Sequence, residues 1–478
     1  MVFSSPIFLF FFLPAVLFLH FLLGRHLRNI VLLAASLFFY TWGEKEYVVL
    51  ILVSFVLNYF IALGIDRAYA AGEGEKVRRQ AKILLILAVV TNLGFLFVFK
   101  YANFSVHNFN VLLGLAKIPA AIRLLPVHLP LGISFFTFHK LSYVIDVYRK
   151  TASCKKSPTE AALYFFFFPQ LVAGPIIRYH DIVDQLHRRT IGFEKFASGA
   201  RRFVTGLAKK VLIANTLGAV VDKIFLIKPS QLTFQLSWLG IVFYALQIYF
   251  DFSGYSDMAI GLGRMFGFEF LENFNYPYIA RSVRDFWRRW HISLTNWFRD
   301  YLYIPLGGSR EGTAATWRNL LIVFFLCGFW HGASWTFVVW GLFHGFFLIL
   351  ERTKFGRLLD KWGGVPGHIY TIFVVLVGWV FFRSETISYA GHYLAAMFGF
   401  ARGNGIEFYP ALYLSNDVIL ALVFGIVGAT PVIRLLRRVG EIRFVGPTAE
   451  ILALSALFIA SAMQLAAGTY NPLIYFRF

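Results

Sequence analysis

Long apolar runs alternate with short charged segments in the first third of the chain. The runs cover residues 7–23, 30–42, 47–65, 83–99 and 129–147. Each predicts a membrane-spanning helix, because about 20 apolar residues cross the hydrocarbon core of a bilayer. Basic residues cluster after the first, third and fifth runs, and placing these connections in the cytoplasm puts the amino terminus outside. No basic segment or small-residue cleavage site precedes the first run, which is therefore expected to be a retained span.

The pattern changes after residue 158, where apolar runs become short and are interrupted by polar residues. The run 165–177 is broken by Pro169, Gly174 and Pro175, a basic amphipathic stretch covers 187–210, and another apolar run covers 236–250. Runs too short to cross a bilayer predict re-entrant or interfacial helices that line a polar cavity. Later runs cover 320–350, 369–382, 418–435 and 451–466, and the first of these is expected to hold more than one element.

Composition places the whole chain in the membrane. Of 478 residues, 58% are hydrophobic and 15% are charged, which leaves too few charges to cover a soluble globule of this size. The prediction is an all-α polytopic membrane protein of roughly a dozen segments. We expect one membrane domain over residues 1–478, with amino-terminal spans (1–150), a central region (158–350) and carboxyl-terminal spans (351–478).

The net charge of +20 is spread over the connections between spans. Anionic lipid and the cytoplasmic placement of basic loops explain it, so no nucleic-acid partner is expected. Cys154 and Cys327 are too few for a disulfide framework or a thiolate zinc site, and no metal is expected. Phosphate-loop, dinucleotide and His-Glu-x-x-His motifs are absent from the sequence.

The first polar cluster lies within the residues 249–257, which carry Asp251 and Asp257 among aromatic and hydroxyl side chains. Charged groups at membrane depth are costly and usually face a cavity or a partner. Two interpretations stay open for these carboxylates. They belong to a site, or they pair with nearby arginines and cap helices.

The second cluster, 284–301, interleaves tryptophan and arginine, which is typical of an interfacial helix. Asp285 precedes Arg288 and Arg289 by three and four residues, a spacing that permits local ion pairs. His291 is not explained by that scaffold. A titratable ring at this position is either a hydrogen-bonded structural histidine or a catalytic one.

The third cluster surrounds His331, inside a long apolar run where a neutral imidazole is tolerated and can accept a proton. Gly328 and Gly332 flank it and could admit another helix or a substrate chain. Cys327 lies one helical turn earlier, either as an apolar filler or as a nucleophile. His344 is thirteen residues away and is expected on another face. A packing motif around a buried histidine is the alternative to catalysis.

Together these segments resemble the membrane-bound O-acyltransferase family, and more closely its bacterial alginate O-acetyltransferase branch. The matching stretches include Phe-Pro-Gln-Leu-Val-Ala-Gly-Pro at 168–175 and Trp-His-Gly at 330–332, with others at 1–5, 249–257, 286–294 and 299–308. The resemblance implies that His331 is the catalytic histidine and that His291 occupies a second characteristic position, where some members carry Asn. It also implies a ring of helices with short central helices around a transmembrane tunnel.

The resemblance further implies transfer of an acetyl group from a cytoplasmic thioester, such as acetyl coenzyme A, to an extracytoplasmic polysaccharide through a partner protein. The setting would be the bacterial cytoplasmic membrane, with no tightly bound cofactor. His331 would act as the base, and His291 would orient the acceptor or stabilise the oxyanion. Arg288, Arg289 and Arg299 are candidates for holding a phosphorylated donor, or else are interfacial anchors.

Three alternatives stay open. Within the family, the chain could transfer a D-alanyl or other acyl group to a cell-wall polymer. Outside it, the histidines could be the proton relay of a small-molecule transporter, although no internal repeat supports one. A pure scaffold for polysaccharide export would need neither histidine.

Overall fold

The computed structural model describes residues 1–24, 26–119, 121–124, 127–401, 403–432, 446–468 and 470–472. Over these residues the chain forms helices joined by turns and loops, without a β-strand, which confirms the all-α class. The helices are α1 (Leu13–Leu22), α2 (Arg28–Glu44), α3 (Val48–Ala70), α4 (Glu75–Leu96), α5 (Ala102–Leu115), α6 (Ile133–Tyr148), α7 (Pro158–Phe166), α8 (Phe168–Leu171), α9 (Tyr179–His187), α10 (Phe193–Ala208), α11 (Thr216–Phe225), α12 (Phe234–Met265), α13 (Val283–Arg289), α14 (Ile292–Phe298), α15 (Thr313–His331), α16 (Trp335–Leu350), α17 (Lys354–Trp362), α18 (Gly364–Arg383), α19 (Ile387–Met397), α20 (Asn416–Gly428) and α21 (Pro447–Ala466).

Seven helical stretches of the described residues are long and apolar enough to cross a membrane. They are Arg28–Ala70, Glu75–Leu115, Phe193–Phe225, Phe234–Met265, Thr313–His331, Gly364–Arg383 and Thr448–Ala466. The chain is therefore a multi-pass membrane protein, as predicted. Residues 433–435 of the predicted run 418–435 lie outside the described residues. The ring of helices, the tunnel and the single-domain division stay predictions.

One unit of the structure consists of Met1–Ala200 and Ala259–Leu271. Its helices α7 and α8 are short, as the interruption at Pro169 predicted, and most of their residues are buried. The Phe168 ring of α8 packs against the rings of Phe12 and Phe39, with centroids 5.3 and 5.6 Å apart. The main-chain N–H of Phe168 donates to Ser36 Oγ at 3.0 Å, so a hydroxyl group of α2 accepts a hydrogen bond from the first residue of this short helix.

The other unit consists of Arg201–Met258 and Glu272–Phe478. The predicted apolar run 236–250 ends too early, because α12 continues without a break through Asp251 and Asp257. Lys210 Nζ lies 2.5 Å from Asp251 Oδ1, and both side chains are almost fully buried. Asp257 pairs with Arg202 at 2.7 Å and with Lys209 at 2.6 Å. Paired carboxylates can stay inside a membrane helix, and both aspartates make the ion pairs that the scaffold interpretation expects, with lysine as the partner of Asp251.

The run 320–350 forms two helices, α15 and α16, joined by the turn at Gly332. Their close approach depends on glycine. A Cβ on Gly328 would overlap the carbonyl oxygen of Phe337 and lie 3.2 Å from the Cα of Gly341. The two expectations for this segment, more than one element and a close neighbour at Gly328, are confirmed, and the neighbour is a helix.

Candidate functional site

His331 is the last residue of α15 and is buried among aromatic rings. The ring centroids of Trp330, Trp340 and Phe382 lie 4.9, 5.0 and 5.1 Å from that of His331, all in edge-on orientations. Such a cage restricts the rotation of the imidazole and lowers the local dielectric constant. The cage therefore favours one defined orientation of the imidazole.

His291 lies at the bend between α13 and α14, and the single helix expected over this segment is therefore two short ones. It is fully buried and adopts a left-handed backbone conformation, with φ of 45°. The extended segment that contains Asn273 and Asn275 holds this bend through main-chain hydrogen bonds. Asn273 O accepts the main-chain N–H of Ile292 at 2.9 Å, and Asn275 N donates to Arg289 O at 2.9 Å. A strained non-glycine backbone that its surroundings fix in this way is common at functional sites.

The side chain of Asn273 determines which nitrogen of His291 carries the proton. Asn273 Oδ1 accepts the main-chain N–H of Ser293 at 3.3 Å, and Asn273 Nδ2 donates to Ser256 Oγ at 3.0 Å. His291 Nδ1 lies 3.1 Å from the same Oδ1, so Nδ1 must be the donor and Nε2 keeps the lone pair. Nε2 is buried and has no hydrogen-bond partner among the described residues. Burial lowers the pKa of His291 to about 3, which keeps the ring neutral at physiological pH.

The two histidines share a neighbour. The Trp330 ring lies 6.4 Å from His291 and 4.9 Å from His331, centroid to centroid. His344, which the sequence placed on a different face from His331, also lies against the Trp340 ring, with centroids 5.2 Å apart. Neither ring nitrogen of His344 has a hydrogen-bond partner in the described part of the chain, and its surroundings are aromatic. His344 therefore has the environment of a packing residue.

A cavity of about 600 Å³ reaches the aromatic cage of His331 at Phe382, although His331 itself does not line it. Phe382, which contacts His331, also lines this cavity, together with Ser334 and Thr336 at the start of α16. Gln247 lines it as well, and its buried Oε1 has no hydrogen-bond partner among the described residues. The cavity thus combines aromatic walls with hydrogen-bonding and charged groups, the latter from Asp222, Arg383 and Glu385, which suits a polar, hydroxyl-bearing ligand.

The other end of α16 is basic. A cavity of about 650 Å³ there is lined by Arg284, Arg352, Lys354 and Arg357. Glu351 and Asp360 also line it, and the carboxylate of Glu351 accepts the main-chain N–H groups of Val283 and Arg284 at 2.6 and 3.0 Å. The 16 residues of α16 make a helix about 24 Å long, and one of these two cavities is lined by residues at its start and the other by residues that follow its end.

The three candidate arginines differ in their contacts. Arg289 Nε pairs with Asp285 Oδ1 at 2.9 Å, the local ion pair that the spacing predicted, and Arg299 pairs with Asp300 at 2.7 Å. Arg288 is exposed and lines a smaller cavity of about 130 Å³ with Arg284 and Glu351. Its side chain has no ion pair among the described residues, so Arg288 remains available for an anionic ligand.

Cys327 is buried one turn before His331, and its thiol makes no hydrogen bond in the described part of the chain. It therefore lacks the base that a nucleophilic cysteine requires. The sequence reasoning missed Asn273, because the three residues that it contacts are 17 to 20 positions away. An asparagine among charged and aromatic residues carries no signal of its own.

Comparisons with known proteins agree with this architecture. The model of the membrane-bound O-acyltransferase family matches residues 36–383, which include both histidines. The "Probable alginate O-acetylase AlgI" of Pseudomonas putida is 41% identical, over 100% of both chains. The "Peptidoglycan O-acetyltransferase" of Helicobacter pylori is 35% identical over 85% of this chain and 81% of its own. The "Teichoic acid D-alanyltransferase" of Bacillus subtilis is 28% identical over 52% of this chain and 65% of its own.

Proposed function

Because this chain belongs to the membrane-bound O-acyltransferase family, we propose that it moves an acetyl group from a cytoplasmic thioester donor to an extracytoplasmic polysaccharide, in the bacterial cytoplasmic membrane. The observation that carries the proposal is the position of His331, caged by three aromatic rings of which one, Phe382, also lines a cavity with room for a hydroxyl-bearing acceptor. Acetyl is favoured over D-alanyl because the relatives named for acetyl transfer align over 85–100% of this chain, against 52% for the D-alanyltransferase.

The reaction needs a base because an alcohol is a poor nucleophile. In the proposed step His331 removes the hydroxyl proton as the oxygen attacks the thioester carbonyl. The carbon–oxygen bond forms, the carbon–sulfur bond breaks, and the proton passes from His331 to the departing thiolate. A thioester has a good leaving group, so no metal is needed for this step.

The tautomer of His291 distinguishes between its two suggested roles, orienting the acceptor and stabilising the oxyanion. Stabilising an oxyanion requires a donor, whereas Nε2 offers a lone pair. We assign His291 the orienting role, in which Nε2 accepts a hydrogen bond from the acceptor. Asn273 is a positioning residue that maintains this tautomer.

The donor is proposed to bind at the basic end of α16. Arginines bind phosphate groups strongly, and Arg288 is the candidate that has no ion pair among the described residues. Basic loops favour the cytoplasmic side, so the basic end of α16 is proposed to be cytoplasmic. The cavity at the start of α16 would then face the outside, where a partner protein would pass the acetyl group to the polysaccharide.

The test is the O-acetyl content of extracellular polysaccharide in cells that express wild type, His331→Ala or Cys327→Ala at matched membrane levels. Acetylation should be lost with His331→Ala and retained with Cys327→Ala. His392→Ala, on the exposed side of α19, is the control for loss of an imidazole. Full acetylation with His331→Ala would reject the mechanism and favour a scaffold or a transporter.

A further inference from the structure

A separate basic cavity of about 700 Å³ lies in the unit formed by Met1–Ala200 and Ala259–Leu271. Four cationic side chains line it, Arg28, Arg188, Arg189 and Lys195, against the one carboxylate of Glu269. Arg28 begins α2, in the connection that the sequence predicts to be cytoplasmic. The acyl-transfer proposal assigns no role to these residues.

Arg189 is held in place by neutral groups. Its Nη1 donates to Asn29 Oδ1 at 2.7 Å, and its Nε donates to the main-chain oxygen of Phe266 at 3.1 Å. Its guanidinium lies over the Phe268 ring, 4.4 Å from the centroid. No carboxylate pairs with it among the described residues. Burial and the nearby Arg28 lower the pKa of Arg189 to about 10, so it stays charged and repels its neighbour.

The nearby carboxylates compensate for this repulsion only in part. Glu160 favours the charged form of Arg189, but it pairs with Lys155 at 3.4 Å and with His187 at 2.9 Å. Arg28 Nε is buried and has no hydrogen-bond partner in the described part of the chain. Glu269 is already shared between Lys195 at 3.0 Å and Arg264 at 3.3 Å. Positioned, partly desolvated arginines that lack a counter-ion are stabilised when an anion binds between them.

We propose that this cavity binds a phosphate group through Arg28, Arg188 and Arg189. Arginine presents paired N–H donors that match phosphate oxygens, and the volume suits a ligand the size of a headgroup. The phosphate can come from two sources, an anionic phospholipid of the cytoplasmic leaflet or a soluble phosphate compound. The proposal is independent of acyl transfer, and its test does not measure acetylation.

The test measures the thermal unfolding midpoint of the purified full-length protein in neutral detergent, at constant ionic strength. The probes are inorganic phosphate, short-chain phosphatidylglycerol and, as a zwitterionic lipid control, short-chain phosphatidylcholine. A ligand that binds the folded state raises the midpoint with a saturable concentration dependence. A rise with phosphatidylglycerol alone identifies a lipid headgroup as the ligand, and a rise with inorganic phosphate identifies a soluble one.

The deciding variant is Arg28→Gln combined with Arg188→Gln, because Arg28 Nε has no partner to lose and Arg188 is exposed. The half-maximal concentration should increase about tenfold or more for each arginine removed. Arg79→Gln, an exposed residue of α4 outside the cavity, is the matched control and should behave as wild type. An unchanged concentration dependence in the double variant, or no rise with either phosphate probe, would overturn the proposal.

Discussion

Replacing Asn273 with aspartate should make acetyl transfer sensitive to acid in a range where the wild type is not affected through His291. In the wild type, Asn273 Oδ1 keeps the proton of His291 on Nδ1, and Nε2 is free to accept a hydrogen bond. An aspartate has nearly the same shape and preserves the oxygen. It adds a negative charge beside a ring nitrogen that lies 3.1 Å from that oxygen.

The size of the effect follows from this distance. Unit charges centred about 4 Å apart attract by about 4 kcal/mol at an effective dielectric constant of about 20, which corresponds to about three pKa units. Burial lowers the pKa of wild-type His291 to about 3, so the aspartate should raise it to about 6. Below that pH both ring nitrogens carry protons, and Nε2 can no longer accept a hydrogen bond.

The assay is acetyl transfer from an acetyl thioester in isolated membranes between pH 5 and 8, reported as the rate of the variant divided by that of the wild type. This ratio should be constant above about pH 7 and fall about tenfold per pH unit below 6. Asn404→Asp adds the same charge at an exposed position and should give a flat ratio. A flat ratio for Asn273→Asp would refute the assigned tautomer or the acceptor role of Nε2.

Three further predictions concern stability, each measured by unfolding in detergent. Lys210→Met should cost about 3–5 kcal/mol because it removes the lysine that pairs with the buried carboxylate of Asp251. Adding Asp251→Leu should recover most of that loss, and no recovery would show that the ion pair is not its cause. Gly328→Ala should lower the stability of the protein by about 1–3 kcal/mol because the added methyl group would overlap α16. Gly94→Ala is the control, because its methyl group would meet no neighbouring atom within 4 Å and should not destabilise the protein. Equal unfolding midpoints for the two variants would contradict the packing argument. Because the pKa of His291 is about 3 when folded and about 6.5 when unfolded, its contribution is complete above pH 6.5 and is lost on acidification. Wild type should therefore lose about 2 kcal/mol more than His291→Asn between pH 7.5 and 5, and parallel losses would contradict the burial of a neutral ring.

The sequence alone determined the membrane class, most of the spans and the two histidines that deserve testing. Run length and composition decide whether a segment can cross a bilayer, and these are local properties. Proline marks the break in 165–177 for the same reason, since it restricts the backbone where it stands. The ion pair of Asp285 with Arg289 was also predictable, because residues four apart meet on any helix.

Only the tertiary structure decided how the polar groups are paired. Lys210 rather than an arginine compensates Asp251, and this contact allows α12 to continue where the apolar run appeared to end. Asn273, 18 residues away, accepts a hydrogen bond from Nδ1 of His291 and so keeps the proton on that nitrogen. Many basic and amide side chains in this chain could make either contact, and composition does not rank them. The choice follows from which backbones approach closely, and that depends on the packing of helices distant in sequence.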